Sequence, residues 1–213
     1  MTSWPRALQP WSPWPAAYVA CGNTFRTKPS SSKLTNRIFI LLAALLTFQS
    51  LVISSVSVHL LDVLKLLGIA TSTALAIGMM IGPSQVMARL AEFSIGRNLH
   101  PTWSARIAIL LCGVGIALLL PAIPWLAFVA LALYGAGNGI LTIARGTLPL
   151  ALFGADGYGA RMGLLARPML IAQAVGPIAA ALALERFGSI PLLVGMCILV
   201  AISFITSLAL PAK

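Results

Sequence analysis

The stretch Ile107–Ala144, IAILLCGVGIALLLPAIPWLAFVALALYGAGNGILTIA, runs 38 residues without an Asp, Glu, Lys or Arg. As one helix at ~1.5 Å per residue it would be roughly twice as long as the ~30 Å hydrocarbon core of a bilayer. It must therefore turn back on itself. Pro121-Ala-Ile-Pro124 marks the turn, because proline has no N–H with which to continue a helix. Two membrane spans follow, at about 105–121 and 124–144.

The same reading extends in both directions. Ile38–Leu61 and Leu66–Ala88 carry no charge, and give spans at about 38–61 and 66–89. Towards the C-terminus lie spans at about 162–184, which tolerates Arg167 near one end, and 189–210. The expected fold is an all-α membrane protein of six transmembrane helices, domain 38–213, preceded by an irregular tail at 1–37. Composition agrees: 59% of the 213 residues are hydrophobic and 8% are charged, against about 25% in a soluble domain.

The basic residues set the topology. Arg6, Arg26, Lys28, Lys33 and Arg37 precede the first span. Arg89, Arg97 and Arg106 lie between the second and third, Arg145, Arg161 and Arg167 around the gap between the fourth and fifth, and Lys213 at the end. Only Lys65 and Arg186, of 14 basic residues, fall on the other side. The positive-inside rule then puts both termini in the cytoplasm, as an even number of spans requires. A net charge of +10 distributed in this way, without a basic stripe and interleaved aromatics, excludes a nucleic-acid partner.

The tail holds Trp4, Trp11 and Trp14 among Pro5, Pro10, Pro13 and Pro15, and lacks the apolar core of a signal peptide. Cys21, Cys112 and Cys197 have no Cys or His at ligand spacing, and read as apolar packing residues. No metal site and no cofactor site is expected.

The six spans fall into two sets of three. The second helix of each set contains Gly-Pro, Gly82-Pro83 and Gly176-Pro177, expected as helix breaks. The third of each set is the most uniformly apolar. The first carries the polar groups: Gln49, Ser50, Ser54, Ser55, Ser57 and His59 in one, Asn138 and Thr142 in the other. Paired interrupted helices point towards transporters built from repeats. Polar groups are costly in hydrocarbon, so spans one and four are expected to be central and spans three and six peripheral.

Two strings carry a family resemblance. Ile81-Gly-Pro-Ser-Gln-Val-Met-Ala-Arg-Leu-Ala-Glu-Phe93 with Gly96-Arg97 resembles the link between helices eight and nine of bacterial major facilitator superfamily permeases. Tyr134-Gly-Ala-Gly-Asn-Gly-Ile-Leu-Thr-Ile-Ala-Arg-Gly146 with Gly157-Tyr-Gly159 resembles their helix ten and the loop after it. Over about 38–213 the chain resembles the C-terminal six-helix half of such a permease. The resemblance implies a secondary transporter of a small molecule in the bacterial inner membrane, truncated or half-length, with alternating access. It also implies a missing N-terminal half or a second copy of the chain as partner. Arg89, Gly96 and Arg97 correspond to a remnant of the family's cytoplasmic loop motif. The motif's Asp is absent, and the spacing from Arg89 to Gly96 is too long.

The candidate substrate-path residues are Gln49, His59, Asn138 and Gln173. Against each stands a structural role. Gln49 can bond a neighbouring helix, and Asn138 sits among glycines that allow close helix packing. His59 lies near the outer end of its span, where it can serve proton transfer or simply sit at the interface. Gln173 lies one turn before Pro177, which frees Gln173's own carbonyl for local bonding. The cytoplasmic gate candidates are Arg89, Gly96, Arg97 and Arg145. Arg145 and Arg167 are expected at cytoplasmic helix ends as topology anchors, with an anion-attracting or gating role as the alternative. No catalytic residue is expected, because Asp62, Glu92, Asp156 and Glu185 lie at span ends or in loops and no nucleophile motif is present. The competing reading is a non-transporting remnant or a membrane partner subunit.

Overall fold

The structure, a computed structural model, describes residues 32–94 and 100–211. Residues 1–31, with Cys21 and the tryptophans of the tail, Gly96 and Arg97, and Lys213 lie outside the described residues. Among the described residues seven helices follow one another: α1 Ser32–Leu66, α2 Thr71–Met79, α3 Ile81–Ser94, α4 Pro101–Ala117, α5 Pro124–Phe153, α6 Tyr158–Phe187 and α7 Ser189–Leu208. Among the described residues every element is helical.

Five helical segments are long and apolar enough to cross a membrane: Asn36–Leu66, Thr71–Ser94, Pro124–Phe153, Tyr158–Phe187 and Ser189–Leu208. The sixth, Pro101–Ala117, is apolar and 17 residues long. The protein is thus a helical membrane protein with six rods, α2 and α3 forming one of them. Their discontinuity falls at Met80, one turn before the Gly82-Pro83 pair. Pro83 cannot donate, and its ring crowds the carbonyl of residue 79.

Other expected boundaries move. α1 begins at Ser32 rather than Ile38, so the last residues assigned to the tail are helical. α4 starts and stops about four residues earlier than the span at 105–121. Its start is set by His100, whose Nδ1 accepts from the Thr102 N–H at 3.3 Å, and by Pro101 in the first turn. The turn expected at Pro121 and Pro124 is present, with Ala122 in the left-handed region at φ 58°. α5 runs on past Ala144 to Phe153, so Arg145 lies inside the helix and not at its end. Arg167 likewise lies inside α6.

Gly176-Pro177 is no break: α6 is continuous through Pro168 and Pro177. Gly188, at φ 84°, is the one residue between α6 and α7, a conformation that side chains disfavour.

The helices differ in how deeply they pack. Buried residues make up 44% of the most apolar stretch of α5 and 39% of that of α1, but 17% of those of α2–α3 and of α6. Spans one and four thus pack more deeply than spans two and five, but they are not the innermost pair expected, because α4 has eight of its 17 residues buried. The expectation that spans three and six are peripheral is corrected. α4 buries Ala105, Ala108, Cys112, Gly115 and Ile116, and α7 buries Leu192, Leu193, Met196, Val200, Ser203 and Ser207. Small side chains let α4 press against α5, and hydroxyls let α7 bond α1. Uniform apolarity does not separate a lipid-facing helix from one packed on its neighbours.

Candidate functional site

α5 is the scaffold. Its string Gly135-Ala-Gly-Asn-Gly139 uses the glycines in two directions. A Cβ at Gly139 would lie 2.6 Å from the Gln85 carbonyl oxygen, and one at Gly135 would meet Ser84 Oγ and the Ile81 carbonyl. Both therefore bear on α3, which runs parallel to α5. Gly137 bears on α4, where a Cβ would come 2.5 Å from the Ala108 oxygen and 2.7 Å from Cys112 Sγ. Gly115 of α4 answers it, with the Ala130 oxygen and the Tyr134 nitrogen each 2.7 Å from its would-be Cβ. Close packing, the role weighed for this string, is what the glycines do.

Between those two contact faces lies a third stripe of α5. At ~100° per residue, Tyr134, Asn138 and Arg145 fall within about 40° of one another. Tyr134 is buried, and Asn138 and Arg145 are half-buried. The Tyr134 hydroxyl and Arg145 Nε and Nη2 are buried without a hydrogen-bond partner among the described residues. Burying an arginine at the centre of a membrane helix costs roughly 2.5–3.5 kcal/mol on insertion scales.

α1 presents the facing polar groups. Gln49 is 1% exposed and donates from Nε2 to Ser203 Oγ of α7 at 3.2 Å, while Ser203 donates to the Leu45 carbonyl at 3.4 Å. Gln49 is thus a link between helices. Its Oε1, and the hydroxyl of the neighbouring Ser50, are buried without a partner. His59 reaches α6, with Nε2 2.9 Å from the Pro177 carbonyl, and Nδ1 lies 3.8 Å from Asp62 Oδ2. Gly176 lets α6 approach so closely: a Cβ there would meet Ser54 Oγ and, at 2.9 Å, the Leu51 carbonyl.

Ser55, His59 and Asp62 follow one another at helical spacing, in the order nucleophile, base, acid. They do not form a catalytic set. The Ser55 hydroxyl donates to the Leu51 carbonyl at 2.8 Å, and His59 Nε2, the nitrogen a nucleophile would need, faces Pro177.

Two spaces adjoin these residues. A cavity of about 20 Å³ between α1, α4, α5 and α7 is lined by Ser55, His59, Ile116, Tyr134 and Met196, among others. It has room for about one water, and the surface it exposes is carbon. An open groove of about 310 Å³ lies between α1, α6 and α7, along Leu51, Gly176, Ala180, Ala183, Gly195 and Leu199.

The remaining candidates are spread out. Arg89 is exposed on α3 and donates to Thr142 Oγ1 at 3.3 Å. Gln173 is exposed midway along α6, and Gly82 and Pro83 are exposed on α3. Gln49, Asn138 and Arg145 share the bundle interior, His59 lies further along α1, and Gln173 stands apart.

Two arginines have roles that the positive-inside argument missed. Arg106 of α4 binds the C-terminus of α7, its Nη2 lying 3.2 Å from the Ser207 carbonyl, 3.3 Å from Leu208 and 3.0 Å from Leu210. Arg161 of α6 binds the C-terminal carbonyl of α5, with Nη1 2.9 Å from Phe153. A helix end leaves four carbonyls unsatisfied and carries partial negative charge, so a guanidinium there serves both needs. The signal in the sequence was an arginine within two turns of each helix start, but its partner is more than a hundred residues away for Arg106. No protein-family model matches the chain, and no curated protein matches it either.

Proposed function

We propose that the chain is a membrane carrier for a small molecule, one six-helix unit of a major-facilitator-type permease whose polar face is completed by a second such unit. The observation that supports this most directly is the pair Arg89 and Thr142. Both are exposed, they are hydrogen-bonded to one another, and Thr142 lies only about 5 Å beyond the midpoint of α5. Hydrocarbon solvates neither group, so that face needs water or a polar partner. Asn138, one turn earlier on α5, extends the same polar region. The resemblance of residues 81–97 and 134–159 to permease helices supports the same reading.

In this reading the six rods form two sets of three, α1 with α2–α3 and α4, then α5, α6 and α7. Both ends of the helical domain lie on the cytoplasmic side of a bacterial inner membrane, where Arg106 and Arg161 cap neighbouring helices. In this reading the chain carries a solute and catalyses no reaction, and the hydroxyl of Ser55 and the imidazole of His59 serve helix packing by bonding the backbone.

The test is solvent access. In a cysteine-free background, Thr142→Cys is expected to react with a membrane-impermeant maleimide in intact vesicles. Val129→Cys, exposed on the opposite side of α5, is expected to stay unlabelled. Solute exchange by the purified protein in liposomes completes the test. Equal inertness of the two cysteines would leave the face buried against a permanent neighbour, and a membrane partner subunit would replace the carrier.

A further inference from the structure

Register brings the unsatisfied groups of α1 and α5 to one level. The rings of Phe39 and Phe153 meet with centroids 6.0 Å apart, and Ser55 and Tyr134 line one cavity, so α1 and α5 run antiparallel. Counting inward from the ring contact places Gln49 and Ser50 level with residues 142 and 143. Counting from the cavity places them level with 139 and 140. Arg145 lies about one turn further, and helical side chains lean back towards the N-terminus of their helix. Its guanidinium therefore extends towards the level of Gln49, Ser50 and Asn138.

The two nitrogens of Arg145 that are buried without a partner are Nε and Nη2. These form the side-on fork of a guanidinium, two parallel N–H groups with the spacing of the two oxygens of a carboxylate. No acid of the chain answers it. Among the described residues the only ion pair is His59–Asp62, and Asp62 is exposed. The phenol of Tyr134 and the hydroxyl of Ser50 are further unpartnered groups able to donate at neighbouring levels. Leu42, Leu45 and Leu46 of α1 and Leu141 and Leu148 of α5, at neighbouring levels by the same register, are all buried.

We infer that Arg145 is the anchor of a binding site for a small monocarboxylate with an apolar body, held side-on by Nε and Nη2. One negative charge cancels one positive charge, so that the occupied site is neutral. The leucines accept the body of the ligand. A lipid headgroup is a poor fit: Arg145 lies only about 10 Å from the midpoint of a helix about 45 Å long, and its side chain leans inward. Nε and Nη2 are buried in this conformation, and the ligand reaches them when the bundle opens. This inference rests on the carrier reading for that opening.

The test uses the full chain, purified in dodecyl maltoside, with benzoate and its uncharged analogue benzamide as probes. Benzoate is expected to raise the melting temperature in a saturable manner, and benzamide is not. Arg145→Gln is expected to abolish the effect. Arg145→Lys, which keeps the charge but has no fork, is expected to weaken benzoate by about tenfold or more. Should Arg145→Gln fail to fold, the comparison of benzoate with benzamide and the lysine variant still decide. Equal responses of the wild type to the two probes, no response to either, or full benzoate binding by Arg145→Gln or Arg145→Lys would overturn the site. Vesicles made with phosphatidylglycerol replacing the detergent separate the lipid source: loss of the benzoate response there alone would assign the fork to a headgroup and overturn it too. Solute exchange is read separately. Arg145-dependent binding without exchange of any solute would remove the carrier reading and leave the site. Exchange of a neutral solute, unchanged in Arg145→Gln, would do the reverse.

Discussion

Alanine at Gly139 puts one methyl group between two backbones. The added Cβ would lie 2.6 Å from the Gln85 carbonyl oxygen, 3.0 Å from Gln85 Cα and 3.2 Å from its carbonyl carbon. Ordinary contact begins at 3.4 Å, so α3 and α5 must separate by about 0.8 Å. No flexible side chain can absorb that shift, because all three neighbouring atoms belong to the main chain. Overpacking of this kind costs about 1–3 kcal/mol. Alanine also has the higher helix propensity, by about 1 kcal/mol, and this offsets part of the cost. Gly195 of α7 supplies the control, since nothing lies within 4 Å of its would-be Cβ. Gly195→Ala gains the same propensity with no clash, so the difference between the two variants isolates the packing term. Gly139→Ala is expected to be less stable than Gly195→Ala by about 1–3 kcal/mol. The assay is unfolding of the detergent-solubilised protein by added dodecyl sulfate, followed by circular dichroism. Stabilities within about 0.5 kcal/mol of each other, the ordinary range for harmless surface changes, would refute the close approach of α3 to α5.

Two further outcomes follow from the bonding pattern. Ser203→Ala leaves Gln49 Nε2 without an acceptor and is expected to cost about 1–3 kcal/mol, whereas Gln49→Leu removes the amide altogether and is expected to be near neutral, both in the same unfolding assay. Arg106→Gln removes a charged cap from three carbonyls at the end of α7 and is expected to cost about 1.5–3 kcal/mol, with faster hydrogen exchange confined to residues 207–210.

The number of helices was legible because hydrophobic length is a crude quantity that the bilayer enforces. Pro121 and Pro124 marked their turn, and Pro83 its discontinuity, because a missing N–H acts locally. The errors in helix boundaries share one cause, which is that each charge was treated as the edge of a span. Excluding Arg106 moved the start of α4 inward, although His100 and Pro101 already signalled a helix start. Excluding Arg145 cut α5 short by a third of its length. Gly176-Pro177 failed as a break for a different reason. There the glycine serves close approach to Ser54 and Leu51, and the helix carries the proline without interruption. Distance along the chain hid the rest: neither Gln49 with Ser203 nor His59 with Pro177 leaves a trace in local sequence.

An arginine can enter a membrane helix when something takes up its donors. Arg106 and Arg161 each lie near the start of a helix, and find the free carbonyls that end another. Those partners come with the fold, and the charge then fixes topology and caps a helix at once. Arg145 is placed otherwise. It lies away from both ends of α5, where the helix engages the backbone carbonyls except that of Arg145 itself, which Pro149 leaves without a helix N–H. The acids of the chain, Asp62, Glu92, Asp156 and Glu185, stay at helix ends or in loops, and the unpartnered groups at neighbouring levels of α1, Gln49 Oε1 and the Ser50 hydroxyl, are uncharged and do not bond it. A neutral residue would fill that position with less cost to insertion if only packing were at stake. The fork of Arg145 is therefore the part of the bundle whose cost the fold itself does not explain, and a ligand of opposite charge is the simplest partner that does.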